Sequence, residues 1–85
     1  MLSRAVFLVL FPPGLTTPAL THRYDTTYFV TEGAIRFGDQ AWVKANSVRA
    51  VQAGHVDGSR HAHPAVGVTF LLVSSGPIDT NWITS

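Results

Sequence analysis

Few side chains in this 85-residue chain can do chemistry: it has four histidines, five acidic residues, two tyrosines and no cysteine. His22, His55 and Asp57 form the most useful set, because two imidazoles and a carboxylate suit a non-haem ferrous ion or another divalent transition metal, such as manganese, nickel or zinc. Without a metal, a His22–Asp57 pair would hold the imidazole in one tautomer and raise its basicity, as a general base requires. Plainer roles compete with these. Asp57 precedes Gly58, and Asp-Gly is first a turn signal. His22 can bond a neighbouring carbonyl at a strand start, and His55 can sit at the rim of the turn after Gly54. His61 and His63 have a His-x-His spacing that binds metals on strands, yet Pro64 points to an exposed loop. Tyr24 and Tyr28 offer a phenol as acid or ligand contact, although tyrosines more often pack. Arg36 and Arg49 alternate with apolar residues, which predicts solvated outer positions. Glu32 is the sole glutamate, so two-carboxylate glycosidase chemistry has no evident pair. A serine nucleophile elbow and a glycine-rich phosphate loop are also missing.

Strands must position these groups. No apolar pattern at three-and-four spacing persists beyond a turn, while glycine and proline punctuate the chain about every ten residues. Strands are predicted at Ala5–Phe11, Thr26–Glu32 (ended by Gly33), Ala34–Phe37, Ala41–Lys44, Ser47–Val51 and Val66–Val73. The segment from His55 to His61 reads as extended but polar. Gly38-Asp39-Gln40 reads as a hairpin turn, and Gln52-Ala53-Gly54 and His63-Pro64 as further turns. Leu20, His22, Thr26, Tyr28 and Val30 share one parity, so in an extended segment they line one face, which in a closed barrel can be the lumen. His55 and Asp57 also share a face, and a barrel joining these strands could gather His22, His55 and Asp57 around one point. Seven or eight short strands at regular spacing predict an all-β sandwich or barrel.

Composition narrows the function further. Residues 1–85 form one small domain, without a linker or repeat. The chain is 46% hydrophobic and only 13% charged, with a mean hydropathy of +0.20, which predicts apolar surface meeting a partner chain in a homodimer. Its net charge of +1 is spread without a basic run, which argues against nucleic acid. The apolar run at 5–11 is too short to span a membrane. It reads as a buried strand of a cytoplasmic protein, the alternative being a secreted protein with a signal peptide over residues 1–19. In the 77–85 tail, Trp82 and Ile83 are expected to cap the barrel or a neighbouring subunit.

The spacing of the first motif resembles that of the cupin superfamily, in which glycine is followed by His-x-His, a glutamate and a second glycine. Gly14, Leu20, His22, Thr26 and Gly33 occupy those positions in 14–33 with no gap. Asn46, Gln52, Gly54, Asp57 and His61 fall on the second cupin motif in 46–61. The resemblance implies a cupin-like double-stranded β-helix, a jelly-roll barrel of short antiparallel strands. Of the four positions that hold the metal in metal-binding cupins, only His22 is kept; Leu20, Thr26 and Asp57 replace the other three. Leucine cannot ligate, and a threonine hydroxyl is a poor ligand for such ions. The leading expectation is therefore a barrel that binds a small organic ligand in its lumen through Leu20, His22, Thr26, Tyr28 and Asp57, with the metal site degenerate or absent. The alternatives are a metal-dependent oxygenase or isomerase using His22, His55 and Asp57, a metal-free His–Asp epimerase, and a non-catalytic dimerisation module that pairs through edge strands.

Overall fold

The computed structural model describes residues 5–76 and the backbone of residues 81 and 82. Ten strands follow in order: β1 (Ala5–Phe11), β2 (Thr16–Thr17), β3 (Leu20–Thr21), β4 (Thr26–Phe37), β5 (Val43–Lys44), β6 (Val48–Val51), β7 (Val56–Asp57), β8 (Arg60–Ala62), β9 (Val68–Ser74) and β10 (Asn81–Trp82). All pairings are antiparallel. Among the described residues there is no helix, and so none long and apolar enough to cross a membrane. The all-β expectation is met.

β4 is the spine. Its first half lies between β9 and β6, with β1 beyond β9, and its second half pairs with β5 and β8, with β2 beyond β8. One strand thus serves two sheets, which curl toward each other around a shared interior. The sequence reading ends this strand at Gly33, whereas the strand continues to Phe37 and turns there instead. Its pairing with β9 shifts register between Val30 and Glu32, a bulge of the kind that bends a strand. Gly33 follows with φ +72°, where a Cβ would collide with the Gly67 carbonyl oxygen. Glycine is needed here because it reaches positive φ at little cost and lets two backbones meet.

Period-two burial runs cleanly along β9, where Val68, Phe70, Leu72 and Ser74 are buried and the residues between are less so. That alternation packs one face of each sheet inward. Tyr28, Val30, Ile35, Phe37, Val51 and Phe70 are among the core that results. Tyr28 stands edge-on to Phe37 at 5.0 Å between ring centres, and Phe11 stands edge-on to Phe70 at 5.4 Å, geometries that aromatic quadrupoles favour.

The strand expected at 5–11 pairs with β9 along its whole length. The hairpin at 38–40 joins β4 to β5, with Gly38 at φ +60°. β3 lies between β7 and β10 in a third, small sheet, in which Leu20 sits opposite Asp57 and Trp82 opposite Leu20. The expected capping role of Ile83 and of the Trp82 side chain falls outside the described residues.

Candidate functional site

Leu20, His22, Thr26 and Asp57 are all buried, and they are the residues at the four ligand positions of the two motifs. Their placement follows from the turns around them. Gly14 (φ +79°), Gly33 (+72°), Asn46 (+68°) and Gly54 (+79°) hold the left-handed backbone at the glycine positions of both motifs. Asn46 stands where the second motif begins with glycine, and asparagine is among the few other residues that reach this region readily. The left-handed turns fall at the glycine positions of the motifs, although three of the four ligand positions hold other residues.

The interior wall is polar, and its groups are paired in an ordered way. Asp57 is fully buried, and its Oδ1 accepts a hydrogen bond from Arg49 Nη2 at 2.9 Å, an ion pair held inside the barrel. The Arg49 guanidinium also lies 4.2 Å from the centre of the Phe37 ring, a cation–π contact. Its position corrects the expectation of a solvated outer arginine. Arg49 sits opposite Tyr28 in the β4–β6 pairing, and Tyr28 faces the core. Arg36 is not freely solvated either: it is half-buried, with its Nε out of solvent and its guanidinium 4.9 Å over the Trp42 ring.

Tyr28 lies at the centre of the cluster. Its hydroxyl is 3.4 Å from His22 Nε2, a long contact. Burial pushes the phenol above its ordinary pKa of 10.0; the nearby Asp57 charge adds to the rise, while Arg60 opposes it by charge and by a side-chain hydrogen bond. The phenol oxygen thus lies between Arg60 and His22, within hydrogen-bond reach of both. Arg60 is itself buried; its Nε donates to Thr17 Oγ1 at 3.0 Å and its guanidinium lies 5.2 Å over the Phe11 ring.

Two polar atoms in this wall have no hydrogen-bond partner, Asp57 Oδ2 and Arg49 Nε. Each is two bonds from the 2.9 Å ion-pair contact, so the two unmet groups, one acceptor and one donor, flank the same pair. The expected His22–Asp57 dyad does not form, because Asp57 uses one oxygen on Arg49 and the other meets no donor.

His55 does not join His22 and Asp57. It is exposed at the turn after Gly54, where its N–H donates to the Gln52 carbonyl. Among the described residues no three histidine, cysteine or acidic side chains are grouped to hold a metal. The donor set does not fit one, since Leu20 offers no lone pair, a threonine hydroxyl at Thr26 is a poor ligand, and the Asp57 carboxylate is already ion-paired with Arg49. His61 Nδ1 lies 3.2 Å from Thr16 Oγ1, while His63 Nδ1 accepts from the Ala65 N–H at 3.1 Å and its ring packs on Trp42. Two surface clefts, of about 150 and 500 Å³, meet at Asp25 and Thr27, and the larger also reaches Thr26, Val51 and Gln52. Thr26 therefore belongs both to the inner wall and to the lining of the larger surface cleft.

Sequence reasoning missed Arg49 and Arg60. In Val48-Arg49-Ala50-Val51 apolar residues stand on both parities, so alternation alone does not say which face is inside.

Comparison with known proteins locates the fold. The sequence matches no family model and no curated protein. Among solved structures it is similar to an RmlC-like cupin protein from Ralstonia eutropha JMP134, with a TM-score of 0.78 and 17% identity over 95% of this chain and 56% of that one. A chain in the complex of Rhodobacter sphaeroides SigE with the anti-sigma ChrR matches with a TM-score of 0.75 and 18% identity, over 85% of this chain and 39% of that one. A conserved protein with a double-stranded β-helix domain from Klebsiella pneumoniae matches with a TM-score of 0.73 and 19% identity, over 96% and 76%. The chain spans 39% and 56% of the first two. Together with the strand order, these likenesses show a cupin-like double-stranded β-helix.

Proposed function

From the premise that the chain folds as a cupin-like β-barrel, we propose that it binds a small organic molecule carrying a hydroxyl group at the inner wall formed by Leu20, His22, Thr26, Tyr28 and Asp57, without a metal. The observation that carries this reading is the pair of unmet groups beside the Arg49–Asp57 bridge. Leaving a buried acceptor or donor unpaired costs about 1–3 kcal/mol. A hydroxyl supplies both missing partners at once, donating to Asp57 Oδ2 and accepting from Arg49 Nε. Leu20 and the Phe37 ring give the carbon skeleton an apolar surface, and the Tyr28 phenol offers a further polar contact. Thr26 also lines the larger surface cleft, the side from which we take the molecule to approach.

Binding of this kind holds and orients; it performs no bond-breaking step. The enzyme alternatives need either a metal held by His22, His55 and Asp57 or a His22–Asp57 base, and neither arrangement is supported by the contacts described above. The test is a thermal-shift screen of chelator-treated protein with xylitol, glycolate and lactate, against propane-derived and other hydroxyl-free analogues of matched size. Stabilisation by hydroxylated probes that is lost in Asp57→Asn is the expected result. Stabilisation that appears only after iron, manganese, nickel or zinc is added would favour the metal-dependent reading.

A further inference from the structure

The outer face of the sheet formed by the second half of β4 with β5, β8 and β2 gathers a guanidinium, two imidazoles and an indole. Arg36 alternates along β4 with the buried Ile35 and Phe37, so it stands on the side away from the core. It lies opposite His61 of β8, which lies opposite Thr16 of β2. His63 follows His61 at the same parity, with its N–H donating to the Ala34 carbonyl at 3.0 Å, so both imidazoles share the face of Arg36. Trp42 joins the two ends of this group. The Arg36 guanidinium is 4.9 Å from its ring centre, and the His63 ring lies 5.4 Å from it.

The group is rich in donors and poor in acceptors. Arg36 is half-buried, its Nε is out of solvent without a hydrogen-bond partner, and among the described residues no carboxylate pairs with it. Lys44, opposite Ala34, adds a second positive charge to the same sheet. Glu32 stands four residues back along β4, about 13 Å away along the strand, which exceeds the screening length of about 8 Å at physiological salt. Asp39, in the hairpin beyond Phe37, makes no ion pair with Arg36. His63 Nδ1 accepts from the Ala65 N–H at 3.1 Å, so the neutral ring carries its proton on Nε2. His61 Nδ1 lies 3.2 Å from Thr16 Oγ1, a hydroxyl that can donate to it and leave the His61 proton on Nε2 as well. A metal would need the lone pair that a protonated Nε2 lacks, and the guanidinium opposite His61 repels a cation.

We propose that Arg36, His61 and His63 bind a phosphate monoester group on this outer face, apart from the inner wall. Stacking on Trp42 fixes the plane of the guanidinium and leaves its Nη donors to the oxygens of an anion. Residues two apart on a strand stand about 7 Å apart. A tetrahedral anion that accepts bonds of about 2.8 Å at two of its oxygens spans that distance. A planar carboxylate fills the arginine fork alone, whereas the phosphate group has a third oxygen for the imidazoles and a charge of about −1.5 to −2 at neutral pH.

Amide NMR of the full chain tests this, with inorganic phosphate and glycerol 3-phosphate titrated at an ionic strength held constant with chloride. Saturable shifts gathered at Arg36, Trp42, His61 and His63 are expected. Binding should weaken more than about tenfold in Arg36→Gln and less than about twofold in Lys44→Gln, and acetate should bind at least about tenfold more weakly than phosphate. Should Arg36→Gln lose its native circular dichroism, His61→Gln decides the matter, with an expected weakening of several-fold. Shifts that chloride alone reproduces, acetate as tight as phosphate, or full affinity in both variants would overturn the proposal. So would shifts at Leu20, His22 and Arg49 instead, saturable zinc binding at His61 and His63 in phosphate-free buffer, or binding only to vesicles containing phosphatidic acid.

Discussion

Asp57 and Arg49 set the character of the interior. The motif position that a histidine fills in metal-binding cupins holds a carboxylate here, and the carboxylate pairs with a guanidinium carried by β6. Asp57→Ala should destabilise the protein by about 2–3 kcal/mol in urea unfolding, because it leaves a largely buried cation unpaired. Arg49→Met/Asp57→Leu should recover most of that loss, since a buried pair replaced by apolar groups is often close to neutral. A double variant as unstable as the single would show that Asp57 holds the wall by something other than this pairing. Tyr28 makes a second prediction, through pH. Its phenol is raised above 10.0 in the folded protein, with burial the main cause. The folded state therefore keeps a proton that the unfolded state loses first, so stability is full below the unfolded pKa and falls as pH rises toward the folded one. Unfolding measured across the alkaline range should show this decline in the wild type, and Tyr28→Phe should remove the part due to this phenol.

At the scale of elements, turns were more legible than faces. Gly38-Asp39-Gln40 and Gln52-Ala53-Gly54 announce their turns because glycine is cheap where φ is positive. Gly33 misled because glycine also marks a corner, and it is the pairing of 34–37 with β5 and β8 that shows β4 running on past it. Parity placed Thr26 and Tyr28 on one buried wall, because the first half of β4 alternates, while His22 is buried beside them although a bend at 23–24 breaks the extended run that its parity assumes. It failed for Arg49, because the outer face of β6 is also apolar. His55 and Asp57 share parity within a short polar segment, but the turn that follows Gly54 leaves the first exposed while the second enters the core. Gly33→Ala should cost at least about 2 kcal/mol, combining an unfavourable φ with a backbone collision. Gly14→Ala should cost about 1 kcal/mol, since nothing lies within 4 Å of the added carbon and only φ is unfavourable. Asn46→Gly should unfold close to wild type, with Asn46→Ala measurably weaker. Equal effects at Gly33 and Gly14 would mean that the corner is not tightly packed.

Across the whole molecule, the two faces of one sheet differ in character. The inner face of β4 and β6 presents Tyr28 and Arg49, and the outer face of the same strands presents Phe29 and Val48. The high hydropathy of the sequence is accounted for on both sides, by a core and by an uncovered apolar row. The four positions that match the metal-ligand positions of the cupin motifs hold an apolar residue, a hydroxyl, an imidazole and an ion-paired carboxylate. The most direct test of that account is two-dimensional amide NMR of chelator-treated protein titrated with a small polyol or hydroxy acid at millimolar concentration. Saturable shifts gathered at Leu20, His22, Tyr28, Arg49 and Asp57 are predicted. Shifts confined to the surface around Asp25, or interior shifts that arise only when a divalent metal is present, would contradict it.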